Sequence, residues 1–302
     1  LYMERQLSAF EQQSQRNVGG FMKGILVKRL ESSFYAFKNT LRRFIESYEK
    51  FIDMSDDGTI YISKQVDVYD LLERDDEDEL LRLVEEDKVT KYGSKDFVTT
   101  FRDHLLFDLE LLHQIQDLWQ DINDDPKLNQ FVTDLRQHTL LKGKKVIIFT
   151  ESSETARYLY GNLEAEFPSK VIQFSSSGGL YNGESISNSV ARSVILENYD
   201  PRQRNKKNDI RILITTDVLA EGVNLHRSNI VINYDLPWNP TRVLQRVGRV
   251  NRVGTEHKNV YIFNFFPTAQ SSRHLNLEDN VKTKIQAFHD MLGEDARHGA
   301  SR

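Results

Sequence analysis

The chain has 302 residues, enough for one large domain or two modest ones, and its 39% hydrophobic content describes an ordinary globular protein. Its formal net charge is −5 and it has no cysteine, which excludes disulfides and thiolate metal sites and fits a reducing, cytoplasmic setting. No apolar run approaches the roughly 18 residues of a membrane span, and the polar N-terminus has no signal-peptide pattern.

In chain order, the first elements read as helices. Ile25, Leu26, Leu30, Phe34, Phe37, Leu41, Phe44 and Ile45 recur at helical spacing and predict one helix over residues 21–48. Asp57-Gly58 followed by Thr59-Ile60-Tyr61-Ile62 predicts a turn and a short strand. An acidic amphipathic helix is expected over 67–89 and a longer, leucine-rich one over 94–121. Asp124-Asp125-Pro126 has the form of a cap with proline in the first turn, opening a helix to about residue 141.

After residue 140 the pattern changes to short apolar strands alternating with helices. Strands are expected at 145–149, 171–174, 210–214, 230–233 and 260–265. Helices are expected from Ser152 or Ser153 to about 167, over 187–199 and over 241–252. Residues 218–225 read as a turn and short helix, and a Ser/Gly-rich loop follows the second strand. Such alternation predicts an α/β fold with a parallel sheet covered on both faces, whose ligands gather at the carboxyl ends of the strands. The expected organisation is a helical segment over 1–140, an α/β lobe over 141–270 and a helical extension over 271–302.

The stretch 239–252 carries the most chemistry. Asn239 can cap a helix and Pro240 suits its first turn. Val243, Leu244, Val247 and Val250 form an apolar stripe, while Arg242, Gln245, Arg249 and Arg252 form a second stripe flanked by Arg246. An exposed arginine face held by i,i+4 ion pairs is the plain alternative, but this stretch contains no Asp or Glu. The arginines therefore call for an anion from outside the helix. A triphosphate suits them, because guanidinium forks match phosphate oxygens and stay charged.

Gln245-Arg246-Val247-Gly248-Arg249-Val250-Asn251-Arg252 resembles motif VI of superfamily-two helicases, and Tyr234-Asp235-Leu236-Pro237-Trp238-Asn239-Pro240 before it resembles the Swi/Snf-type ATPases, particularly bacterial ones. The resemblance implies a RecA-like C-terminal lobe, with Arg249 and Arg252 as arginine fingers toward ATP. Thr215-Thr216-Asp217-Val218-Leu219-Ala220-Glu221-Gly222-Val223-Asn224-Leu225 resembles motif V. By position it implies Thr216 at a nucleic-acid phosphate and Glu221, Gly222 and Asn224 near the nucleotide, with Gln245 joining them from motif VI. Glu221 stands where DEAD-box proteins have arginine, which favours the Swi/Snf branch. Val146-Ile147-Ile148-Phe149-Thr150-Glu151 resembles motif IV and implies that Thr150 meets the tracked strand.

Ser175 to Gly179 stands in the place of a further contact loop, with Arg192 and Asn198-Tyr199-Asp200-Pro201 matching the helix that follows it; flexible linker is an equal reading there. Gly254-Thr255 departs from the family's usual Gly-Gln. Lys28-Arg29-Leu30-Glu31-Ser32-Ser33-Phe34-Tyr35-Ala36-Phe37 resembles the segment that joins the two lobes in bacterial Swi/Snf-type proteins. Residues 53–138 resemble nothing nameable and read as a helical insertion.

An ATPase of this kind also needs a Gly-x-x-x-x-Gly-Lys-Ser/Thr loop and a carboxylate pair for Mg²⁺. Neither is found; in 178–185 the glycine spacing is right, but Glu184 replaces the lysine. The expectation is that a separate N-terminal lobe holds Mg²⁺ and most of the ATP, and that this chain alone does not hydrolyse it. His104, His113, His138, His226 and His257 lack metal-ligand spacing, so no metal site is expected in this chain. Three functional readings stay open: an ATP-driven translocase on double-stranded DNA, an RNA helicase lobe, or a non-catalytic module binding nucleic acid or protein.

Overall fold

A computed structural model describes residues 22–63, 89–93, 100–219, 223–237, 241–251, 255, 257–266 and 268. The chain divides into two compact units, Leu1–Asn129 and Gln130–Arg302.

In the first unit the expected long helix is two. Helix α1 spans 22–32 and α2 spans Phe34–Asp56, separated by Ser33. Ser33 has extended backbone (φ −162°, ψ 152°), and its hydroxyl accepts from the Ala36 N–H at 3.1 Å. It caps a new helix where apolar periodicity alone suggested continuity. Helix α2 packs on α3 (Phe101–Trp119) through Phe37, Leu41, Ile45 and Leu112, and the Phe34 and Phe37 rings meet Trp119. Beyond α2, Gly58 takes a left-handed φ of 80° and opens strand β1 (Thr59–Ser63). This pairs antiparallel with β2 (Val89–Gly93), a strand where the sequence suggested the end of one helix and the approach to another. Of the acidic helix expected over 67–89, all but Val89, which opens β2, lies outside the described residues, as does the extension 271–302. Asp125 caps α4 (Pro126–Gln137) by accepting from the Lys127 and Leu128 N–H groups at 3.1 and 3.2 Å.

The second unit is an α/β lobe built on a seven-stranded sheet. Its strands are β3 (Val146–Phe149), β4 (Val171–Ser175), β5 (Gly178–Tyr181), β6 (Glu184–Ile186), β7 (Ile212–Thr215), β8 (Ile230–Asn233) and β9 (Tyr261–Asn264), in the order β6-β5-β4-β7-β3-β8-β9. The five strands from β4 to β9 in that order run parallel, as expected. Ile147, Phe149, Ile172, Phe174 and Leu213 pack in one core with Ala191, Ile195 and Tyr199 of helix α6 (Asn188–Tyr199). The intervening Ile148, Ile212, Ile214 and Ile232 are equally buried. A sheet with both faces covered wants such unbroken β-branched runs, and each buried Ile contributes about 1.5–3 kcal/mol of apolar transfer. Helix α5 (Ser153–Glu166) follows β3, capped by Ser152.

Two features differ from the expectation. The Ser/Gly-rich segment after β4 is a hairpin, β5 and β6, extending the sheet antiparallel. Asn182 and Gly183, with φ of 51° and 78°, form its two-residue turn, the preferred chemistry for a tight hairpin. Gly179 has no room for a side chain, since an added Cβ would lie 2.7 Å from Ala191 Cβ and 2.9 Å from the Gln173 carbonyl oxygen. The second difference is that the motif VI helix, α7, spans Thr241–Val247 and gives way to turns before Arg249.

Candidate functional site at the strand ends

Because β7, β3 and β8 are parallel neighbours, their carboxyl ends share one edge of the sheet. The residues leaving them are Thr216-Asp217, Thr150-Glu151 and Tyr234-Asp235. The chain passes from β3 outward to β4, returns to β7, then crosses to β8 on the far side of β3. That reversal of direction is where open α/β sheets form their binding crevice.

Arg246 is the hub of this edge. It is fully buried, its Nε donates to Asp217 Oδ1 at 2.6 Å, and its Nη2 donates to Asp217 Oδ2 at 2.9 Å. Nη2 also donates to Glu151, and Nη1 donates to Asn233 Oδ1 at 3.0 Å. The guanidinium lies over the Phe149 ring, 5.2 Å from its centroid. One side chain thus joins the ends of all three central strands. Arg242 adds a bond to Asp217 at 3.2 Å. Burial opposes ionisation of Asp217, but the charges of Arg246 and Arg242 hold its carboxyl below the usual value. Burial likewise opposes the charge on Arg246, and Asp217 and Glu151 outweigh it, raising its pKa above the ordinary arginine range. A buried charge so compensated is costly to break.

A second polar link runs beside the first. The Thr150 hydroxyl donates to Asp235 Oδ2 at 2.6 Å, and the Glu151 N–H donates to Asp235 Oδ1 at 2.6 Å. The Asn233 side-chain amide donates to Asn264 Oδ1 at 2.7 Å, carrying the network to β9.

These contacts correct the reading of the arginine row. The helix itself carries no acid, but Asp217 and Glu151 reach Arg242 and Arg246 from the strand ends. Both of those arginines are neutralised within the chain, and Arg246, placed at the flank of the row, sits at its buried centre. Thr150, expected at the tracked strand, is fully buried and its hydroxyl donates to Asp235. Ser175 is buried, its hydroxyl 3.1 Å from that of Ser177. Thr216 is buried at the end of β7, and its carbonyl accepts from the Thr215 hydroxyl.

Of the residues expected around the nucleotide, Gln245 is exposed, and Asn224 and Arg249 are half-buried. The structure brings the last two segments together: the Leu225 N–H donates to the Arg249 carbonyl at 3.1 Å, so motifs V and VI are tied one residue from Asn224. Val223, Leu225 and Val250 are buried on either side of that bond. Glu221, Gly222 and Arg252 lie outside the described residues. Asp217, Glu151, Asp235 and Asn233 were missed as site residues, although each ends or follows a predicted strand and that position was itself the available signal. Among the described residues no group of three or more His, Asp or Glu is placed to hold a metal ion, and no helix is long and apolar enough to cross a membrane.

Residues 127–254 match the family described as helicase conserved C-terminal domain. The ATP-dependent helicase YqhH of Bacillus subtilis (strain 168) is 35% identical over 153 residues, covering 50% of this chain and 23% of that protein. The ATP-dependent RNA helicase uap56 of Schizosaccharomyces pombe (strain 972) is 36% identical over 146 residues, covering 48% of this chain and 29% of that protein. This chain thus spans less than a third of the length of either relative. Among solved structures, S. cerevisiae Dbp5 bound to RNA and ADP BeF3 is 24% identical with a TM-score of 0.39, covering 54% of this chain and 36% of that one.

Proposed function

We propose that residues 127–254, the helicase conserved C-terminal domain, supply the arginine side of a two-lobed ATPase site in an ATP-dependent nucleic-acid translocase. The observation that supports this best is the Arg246 hub. By tying Glu151, Asp217 and Asn233 into one unit, it anchors α7 at the strand ends, three residues before Arg249. When bound, ATP supplies the phosphoryl group whose transfer drives the cycle, and a second lobe holds it with Mg²⁺. The acids on this edge are unsuited to Mg²⁺, since Asp217 and Glu151 are engaged by arginines and Asp235 by Thr150 and the Glu151 N–H.

Arg249 and Arg252 then act as the fingers that meet the phosphate charge. Gly248 keeps the turn between hub and finger slim: a Cβ there would lie 3.3 Å from the Leu244 carbonyl oxygen. Glu221, Gly222, Asn224 and Gln245 border the nucleotide. Thr216 and the Ser175 loop face the nucleic-acid backbone, while Thr150 serves as a positioning residue that fixes Asp235 and Glu151. Loss of an arginine finger costs about 10³- to 10⁵-fold in turnover. In the full-length protein, Arg249→Ala should therefore lower nucleic-acid-stimulated ATP hydrolysis at least about 10³-fold; a rate within a few-fold of wild type removes that role. The 302-residue chain alone should show no turnover.

The polymer tracked is duplex DNA on the Swi/Snf-type reading, which rests on Asp235-Leu236-Pro237-Trp238-Asn239-Pro240 and on Glu221. A second reading, an RNA helicase lobe, is favoured by relatives such as uap56, which is named an RNA helicase. Comparing ATPase stimulation by double-stranded DNA and by RNA decides between them.

A further inference from the structure

The opposite end of the parallel strands carries a cavity that the ATPase reading leaves unused. Its volume is about 320 Å³, and its lining includes Lys144, Lys145, Asn208, His226, Arg227 and His257. Lys145 directly precedes β3, and Arg227 stands three residues before β8, so the cavity opens at the amino ends of these strands. It is remote from the Arg246 hub along the strand axis.

The cations here are held by neutral groups. Arg227 Nη1 donates to the Glu197 and Lys207 carbonyl oxygens at 2.9 and 2.7 Å. Lys145 Nζ donates to the Ile210 carbonyl and sits 4.7 Å from the centre of the Tyr199 ring. None of the lining residues is an acid. The neighbouring Glu197 carboxylate is taken by Lys207 at 2.8 Å, and the Asp200 carboxylate accepts from the Arg202 N–H at 2.8 Å. Burial first, and then the charge of Arg227, push the Lys145 ammonium down to about 8, with Asp209 opposing the shift and Lys170 adding a little to it. Positive groups that crowd one another in a concave, partly desolvated site are relieved by an entering anion. Guanidinium, ammonium, imidazole and amide groups together are phosphate-binding chemistry.

We propose that this cavity binds a small, free phosphate-bearing anion, for which pyrophosphate is the probe. Its volume is at the lower end of small-molecule sites. The test is calorimetric titration of the 302-residue chain with sodium pyrophosphate at low ionic strength. Saturable one-to-one binding is expected, weakened at least about ten-fold by Lys144→Glu. Among the described residues that change breaks no side-chain hydrogen bond or ion pair of Lys144, and an unchanged unfolding midpoint shows the fold intact. Arg227→Gln is the second variant, expected to act in the same direction. Arg249→Gln, at the other end of the strands, should leave the affinity unchanged. Three results would each overturn the proposal: no saturable binding, binding indifferent to Lys144→Glu, or binding lost in Arg249→Gln. A short oligothymidylate that displaces pyrophosphate one for one would also overturn it, by showing that the phosphate belongs to a nucleic-acid backbone.

Discussion

At the carboxyl ends of the central strands, buried arginine meets acid; at the amino ends, the side chains of Lys145 and Arg227 donate to backbone carbonyls. Arg246 is fully enclosed by Asp217, Glu151 and Asn233, whereas Lys145 and Arg227 gather around a cavity with no acid in its lining. The difference teaches that a cationic cluster in a sequence has two distinct fates. Where strand ends bring carboxylates to it, the cluster becomes part of the scaffold and positions whatever follows it. Where they do not, its charge is left for a ligand.

The comparison breaks most sharply at Arg246. Arg246→Ala takes the main cation from Glu151 and leaves Asp217 with the longer Arg242 bond, and should cost about 3–5 kcal/mol in urea unfolding of the lobe. A loss below about 1 kcal/mol would mean that the hub is not structural. Next comes the sheet edge that was read as a possible linker. Gly179→Ala forces a methyl against Ala191 and the Gln173 carbonyl, and should destabilise by about 1–3 kcal/mol; no loss would show that the hairpin lies elsewhere. Ser152→Ala removes the α5 cap, whose hydroxyl accepts from the Thr155 N–H at 3.3 Å, for about 1 kcal/mol. The smallest effect is expected at the exposed Arg42–Glu46 pair on α2, where Glu46→Ala should change stability by about 0.5 kcal/mol or less.

Acid titration sharpens the same contrast. Asp217 has a lowered folded pKa, so its contribution is fully present above the ordinary carboxylate value near 4. It is lost as pH falls from there through the lower folded value. Denaturation midpoints measured between about pH 2 and 5 should fall less steeply for Asp217→Asn than for wild type; parallel slopes would contradict the pairing.

The parallel sheet was legible because β3, β7 and β8 are short runs dominated by Ile and Val, and a strand buried on both faces shows no apolar–polar alternation to confuse the reading. Helix starts at Ser152 and Asp125 were legible from capping chemistry. Ser33 was not, because its hydroxyl interrupts an apolar stripe that continues on both sides of it. The β5–β6 hairpin was hidden by reading Ser175 to Gly179 as loop, although Asn182-Gly183 carried the turn signal. In the site, the arginine row could be seen, but the acids facing it could not be paired from local spacing. Asp217 lies 29 residues and Glu151 95 residues from Arg246, and only the strand order makes them neighbours.

The account turns on a division of labour within one short segment, with Arg246 holding the scaffold and Arg249 doing the chemistry. It is tested most directly by measuring nucleic-acid-stimulated ATP turnover of full-length Arg249→Ala alongside its unfolding midpoint. The account predicts a wild-type midpoint with turnover down at least about 10³-fold. Wild-type turnover, or a loss of turnover that only tracks unfolding, would contradict it.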